Sequence, residues 1–101
     1  MSTAEVLYAV QAVDSLEGNK RRAELRPAHA EYLGTIPGRV ALGGGIVTEA
    51  GQPATGSFLI YHAATLEEAK ALFENDPLFK GGIYQSVTWS VFNGAMGSLL
   101  G

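Results

Sequence analysis

The chain has 101 residues, 47% of them hydrophobic and 17% charged, with a net charge of −3. That size and balance fit one globular domain and give no electrostatic footprint for nucleic acid or an anionic membrane. There is no cysteine, so disulfides and thiolate chemistry are excluded and only His or carboxylates remain for a metal.

Residues 5–13, EVLYAVQAV, read as a strand rich in Val and Tyr. Val6, Tyr8 and Val10 fall on one face, and Leu7, Ala9 and Val13 on the other, the pattern of a strand covered on both sides. DSLEGN follows as a loop. From Lys20 to Ile36 the period becomes helical: Leu25, His29, Tyr32, Leu33 and Ile36 share one face. Pro27 either opens this helix at its first position or kinks a longer one. A strand over Val40–Thr48 and another over Ser57–His62 flank the turn-forming EAGQPATG. Thr65 with Glu68 makes a capping box for the next helix, whose buried stripe is Leu66, Ala69, Leu72 and Phe73. In the last strand, IYQSVTWSVFN, Ile83, Val87, Trp89 and Val91 form a core face, alternating with Tyr84, Ser86, Thr88 and Ser90.

Strand, helix, strand, strand, helix, strand is the ferredoxin-like α+β order βαββαβ: a four-stranded antiparallel sheet with two helices on one face. Three strands carry apolar residues on both sides, so the bare face predicts coverage by a second copy in a twofold homodimer. No apolar run reaches the roughly 18–20 residues of a membrane span. The N-terminal MSTAEVLYAV is acidic where a signal peptide is basic, so a cytoplasmic protein is expected. The tail GAMGSLLG, residues 94–101, has little pattern and is expected to be flexible or to lie on the partner.

LRPAHAEYL (25–33), TGSFLIYHAATLEEAKALF (55–73) and NDPLFKGGIYQSVTWSVF (75–92) together resemble the YCII-related (YciI-like) family. The similarity runs from the first strand to about Phe92. Its most specific parts are Arg-Pro-x-His at the first helix and Asp-Pro-hydrophobic-Phe-x-x-Gly after the second. The resemblance implies a single YCII-like domain over 1–101, a dimeric α+β barrel, and a site built on a His and an Asp, which match His29 and Asp76. It also implies lyase or isomerase steps on small organic molecules. The glycines 43–45 fit the family's glycine before the second-strand turn.

The residues themselves leave two readings open. His29 lies on an apolar helix stripe and needs a hydrogen-bond partner. Asp76 follows the second helix, whose C-terminus disfavours an acid. If the carboxylate accepts from one imidazole nitrogen, the other nitrogen is a base. Leu78 and Phe79 then wall the site. Otherwise Asp76 bonds its own turn backbone and His29 is a satisfied core residue, the commoner outcome for these residue types; the resemblance favours the pair. Arg22 and Arg26 are candidate clamps for a substrate carboxylate or phenolate, with a solvated helix face expected for Arg22. Lys80 is a candidate anion contact, with solvent exposure as its alternative. Gly44, within LGGGI, brings backbone amides near a ligand, but the context of a phosphate loop is missing and nucleotide binding is excluded. His62 ends a strand and is expected half exposed. Tyr32, Tyr84 and Trp89 are candidates to line a pocket, with core packing the commoner role for aromatic residues at these periods. Two histidines and scattered acids give no metal-ligand spacing.

Two functional classes follow. One is an enzyme needing no cofactor, with His29 as general acid/base and Asp76 orienting it, on a compact organic substrate gripped by Arg26, Phe79, Lys80 and Gly44. The other is a non-catalytic dimer that binds a small ligand or a partner protein through the same cleft.

Overall fold

In the computed structural model residues 6–95 are described. Their elements are β1 (Val6–Asp14), α1 (Leu16–Asn19), α2 (Arg22–Gly34), β2 (Val40–Ile46), β3 (Gly56–Ala63), α3 (Leu66–Glu74), α4 (Pro77–Lys80) and β4 (Tyr84–Phe92). The strands form one antiparallel sheet in the order β2-β3-β1-β4. This is the ferredoxin-like arrangement that the element order predicts. Of the expected tail, residues 96–101 lie outside the described residues.

The core sits between the sheet and the helices α2 and α3. Val10, Ala12, Leu59, Tyr61 and Ala63 supply its floor, and Ala69 and Phe73 press onto it from α3. Leu33 and Ile36 close it from the α2 side. Phe73 is the hub, with the rings of Phe79, Tyr84 and Trp89 at 5.5, 5.6 and 5.7 Å from its own. Aromatic contacts of this kind add about 0.5–1.5 kcal/mol each beyond burial. The opposite face of the sheet carries Leu7, Val13, Phe58 and Leu42, with Leu42 43% exposed.

Several local expectations are corrected. DSLEGN is not a loop throughout: Ser15 accepts the Gly18 N–H at 2.9 Å and caps α1. The close seat of α1 explains its glycine, because a Cβ on Gly18 would stand 2.2 Å from the Ile83 carbonyl oxygen. Of the two placements left open for Pro27, the longer helix is the one found: α2 runs through Pro27, on an exposed side. The expected turn after α3 is partly helical, since α4 follows at once.

At α3, Thr65 accepts the Glu68 N–H at 3.1 Å, as a capping box requires. The return arm is shifted by one residue, with Glu68 accepting from the Ala64 N–H at 2.8 Å. That hydrogen bond, then the Arg39 guanidinium, holds the Glu68 carboxyl below its usual range.

The last strand departs most from simple alternation. The register of β1 on β4 slips between Val13 and Asp14, and Asp14 pairs with Tyr84. Such a bulge shifts the facing of the residues beyond it, so Tyr84 turns into the core beside Phe73 rather than away from it. The expected core face of β4 also thins along the strand. Trp89 is partly buried, but Val87 is 37% and Val91 70% exposed, because β4 is an edge strand that outruns the helices.

Candidate functional site

The segment after α3 answers why an acid stands there. Asp76 adopts an extended conformation (φ −70°, ψ 133°) and is the N-cap of α4, with Pro77 at the first helical position. Its Oδ1 accepts the Leu78 N–H at 2.9 Å. The same carboxylate meets His29 of α2: Nδ1 lies 2.8 Å from Oδ1 and 2.7 Å from Oδ2. Asp76 therefore bonds its own turn and the imidazole at once. Asp76 is 1% exposed, while the His29 side chain keeps 21%. With Nδ1 donating to a carboxylate, the remaining lone pair sits on Nε2.

His29 opens onto a cleft of about 690 Å³ between α2, the strand β2 and the loop that leads into β3. That volume suits a compact organic molecule. Arg26 and Leu78 line it beside His29, and Gly43, Gly44 and Gly45 make the facing wall. Gly44 offers the cleft only backbone: it pairs with Phe58, and the open space where its side chain would begin is on the opposite face of the sheet, whereas a Cβ on Gly45 would stand 2.7 Å from that of Ala54. Arg26 is exposed and forms no ion pair among the described residues. No carboxylate lines the cleft. Among the described residues no group of three or more His, Asp or Glu is placed to hold a metal ion.

Phe79 and Lys80 stand outside this constellation. Phe79 turns into the core against Phe73, and Lys80 is exposed at the end of α4; neither lines the cleft. A four-residue helix divides its side chains between core and solvent, and Leu78 takes the place against the cleft. His62 is half-buried and away from the lining. Tyr32, Tyr84 and Trp89 serve the core, with the Tyr32 hydroxyl donating to the Leu72 carbonyl at 2.7 Å.

A second polar group was not legible beforehand. Arg22 is no solvated helix residue: its side chain is 15% exposed and its Nη1 holds the buried Asp14 carboxylate at 2.9 Å. Its Nη2 donates to the Gly56 carbonyl and to Ser57 Oγ, both at 2.7 Å. Asn19 donates to Asp14 at 2.8 Å, and Ser57 shares a hydrogen with Tyr84 at 2.8 Å. Arg22, Asn19 and Ser57 all reach the cleft wall. The hint in the sequence is slight, an acid closing one strand and a serine opening another.

Deep in the core, Tyr61 is fully buried and its hydroxyl has no hydrogen-bond partner. Burial first, then the nearby Asp76 charge, push its phenol far above the usual value.

An open ferredoxin-like sheet, with an imidazole–carboxylate pair at the lip of a cleft beneath its first long helix, defines a small α+β domain with a polar, compound-sized cleft. The YCII-related domain model matches residues 1–93, and the chain belongs to that family. Protein YciI of Escherichia coli O6:H1 is 30% identical over 94 residues, covering 86% of this chain and 96% of that protein. Among solved structures, 5-chloro-2-hydroxyhydroquinone dehydrochlorinase (TftG) of Burkholderia phenoliruptrix AC1100, in complex with 2,5-dihydroxybenzoquinone, superposes with a TM-score of 0.80. It is 25% identical, with 88% of this chain and 95% of that one covered. SnoaB, a cofactor-independent oxygenase of Streptomyces nogalater, shares the fold at a TM-score of 0.51 and 10% identity, covering 95% and 98% of the two chains.

Proposed function

We propose that this protein is a small-molecule enzyme in which His29 and Asp76 perform general acid/base chemistry of the lyase or isomerase type. The observation that carries this reading is the pairing of His29 Nδ1 with both Asp76 oxygens, at 2.8 and 2.7 Å, at the edge of a compound-sized cleft. Nε2 takes a proton from a carbon or oxygen of the substrate, and the imidazolium so formed is stabilised by the buried carboxylate. Returning the proton to another atom gives an isomerisation; expelling a neighbouring substituent gives an elimination. Arg26 steadies the anion that forms. The reading requires no cofactor. The likeness to the dehydrochlorinase TftG, solved with a dihydroxybenzoquinone, supports a phenolic or enolic substrate for this chain.

The test is proton exchange. Small phenols and enolisable acids are incubated with the protein in D2O and followed by NMR. The wild type is expected to accelerate exchange or elimination for at least one, with His29→Ala about 10²–10⁴ slower. If none reacts faster with the wild type than with His29→Ala, the enzymatic reading is wrong and a ligand-binding module replaces it.

The homodimer belongs to the same proposal. A second copy laid on the apolar face of Leu7, Val13, Leu42 and Phe58 buries what the helices leave uncovered. Sedimentation at micromolar concentration is expected to give twice the chain mass; a monomer removes the claim.

Among the described residues, no helix is long and apolar enough to cross a membrane. The cytoplasmic setting stands as part of the proposal, and fractionation of cells producing the protein tests it.

A further inference from the structure

We infer that Ser57 is a hydrogen-bond donor to a bound ligand, and that the cleft selects a compact molecule carrying an anionic oxygen — a carboxylate, phenolate or enolate. This deepens the enzymatic reading above and rests on its cleft.

Ser57 is 3% exposed yet lines the cleft. A serine hydroxyl has one hydrogen and two lone pairs. Arg22 Nη2 donates into one lone pair at 2.7 Å. Tyr84 lies 2.8 Å away, and either oxygen of that contact has a hydrogen to give. Tyr84 has no other side-chain partner among the described residues. If Ser57 donated to it, the Tyr84 hydrogen would be the one without a protein acceptor, at a half-buried oxygen that does not line the cleft, where no ligand could meet it. If Tyr84 donates, it is satisfied and both lone pairs of Ser57 are filled. Burial raises the Tyr84 phenol, so it keeps its hydrogen at neutral pH. The Ser57 hydrogen is then the one without an acceptor in the protein, at a wall of the cleft.

Arg22 fixes this arrangement and does not grip the ligand itself. Its four terminal hydrogens go to the two Asp14 oxygens, the Gly56 carbonyl and Ser57. Arg26 keeps its fork free. Asp14 already balances Arg22, so among the described residues Arg26 is the unpaired cation of the cleft, and it attracts an anion. Ser57 and His29 line the same cleft of about 690 Å³, which suits a single-ring molecule with an oxygen at one end and an acidic proton at the other.

The probes are 4-hydroxybenzoate and the neutral 4-methylphenol, titrated by calorimetry or NMR. The wild type is expected to bind 4-hydroxybenzoate saturably and at least about tenfold tighter than 4-methylphenol, as for a charge-assisted hydrogen bond. Ser57→Ala is expected to lose about tenfold for 4-hydroxybenzoate and to leave 4-methylphenol within about twofold. Tyr84→Phe removes the donor to Ser57 without removing the Ser57 hydrogen, so affinity stays within about threefold. Should Ser57→Ala fail to fold by its melting curve, Ser57→Cys carries the same expectation, being close in size and a weak donor. Three results overturn the inference: no saturable binding to the wild type, no loss in the Ser57 variants, or tighter binding by Tyr84→Phe. The last would mean that the hydrogen had been spent on Tyr84. The two readings fail separately. A missing Ser57 effect beside His29-dependent exchange strikes only the ligand assignment. Ser57-dependent binding without His29-dependent exchange strikes only the chemistry.

Discussion

Replacing Asp76 by Asn changes one atom and reverses the polarity of the site. Asn is as good an N-cap as Asp, so α4 keeps its start. Only the amide oxygen is an acceptor, and the Leu78 N–H, at 2.9 Å in the wild type, claims it. The amide NH2 then faces His29 Nδ1, at the site where carboxylate oxygens stand 2.7–2.8 Å away. Nδ1 must accept, and the ring hydrogen moves to Nε2. The nitrogen left to act as a base becomes a donor. A positioned acid/base contributes about 10²–10⁴ in rate, or roughly 3–5 kcal/mol of barrier at 1.36 per decade. A hydrogen bond to a charged group, about 1.5–3 kcal/mol, gives way to a neutral one of about 1. The net loss of stability is therefore about 1 kcal/mol, roughly 4–8 °C in melting temperature for a domain of this size. Nitrogen-15 NMR of the imidazole reads the tautomer without any substrate. The wild type is expected to show Nδ1–H and the variant Nε2–H. An unchanged tautomer in Asp76→Asn, or equal turnover of a substrate that depends on His29, refutes the reasoning.

Asp14→Ala strands the Arg22 guanidinium, which is only 15% exposed, and is expected to cost about 3 kcal/mol in urea unfolding. A change below about 1 kcal/mol would mean that water already serves that pair. Tyr61→Phe deletes a buried hydroxyl that has no partner, and is expected to leave stability unchanged or raise it by up to about 1 kcal/mol; a clear loss of stability would reveal a partner. Burial raises the phenols of Tyr32, Tyr61 and Tyr84 above the ordinary value of 10.0. The unfolded chain then releases protons first, so stability is full below about pH 10 and falls as pH climbs beyond it. Chemical unfolding between pH 8 and 11 checks the sign, and a stability that rises with pH would contradict it.

The element order and the caps were legible because their causes are local. Thr65 and Glu68 are three residues apart, and the stripe of Leu66, Ala69, Leu72 and Phe73 repeats at the helical period, so neighbours in sequence are neighbours in space. The same locality failed at β4, where a slip in pairing with β1 turned Tyr84 inward against its alternation. It failed again at Arg22, whose spacing fits a solvated face equally well. His29 and Asp76 were picked out as types that need partners, and by resemblance. Their contact spans 47 positions, and that of Arg22 with Ser57 spans 35. No periodicity reaches so far. The sequence determined the strands, the helices and the residues capable of chemistry, because these follow from backbone propensity and a repeating apolar pattern. Which of those residues share the cleft was decided only by packing α2 and α4 against one sheet, since that alone fixes the distance between groups the chain keeps far apart.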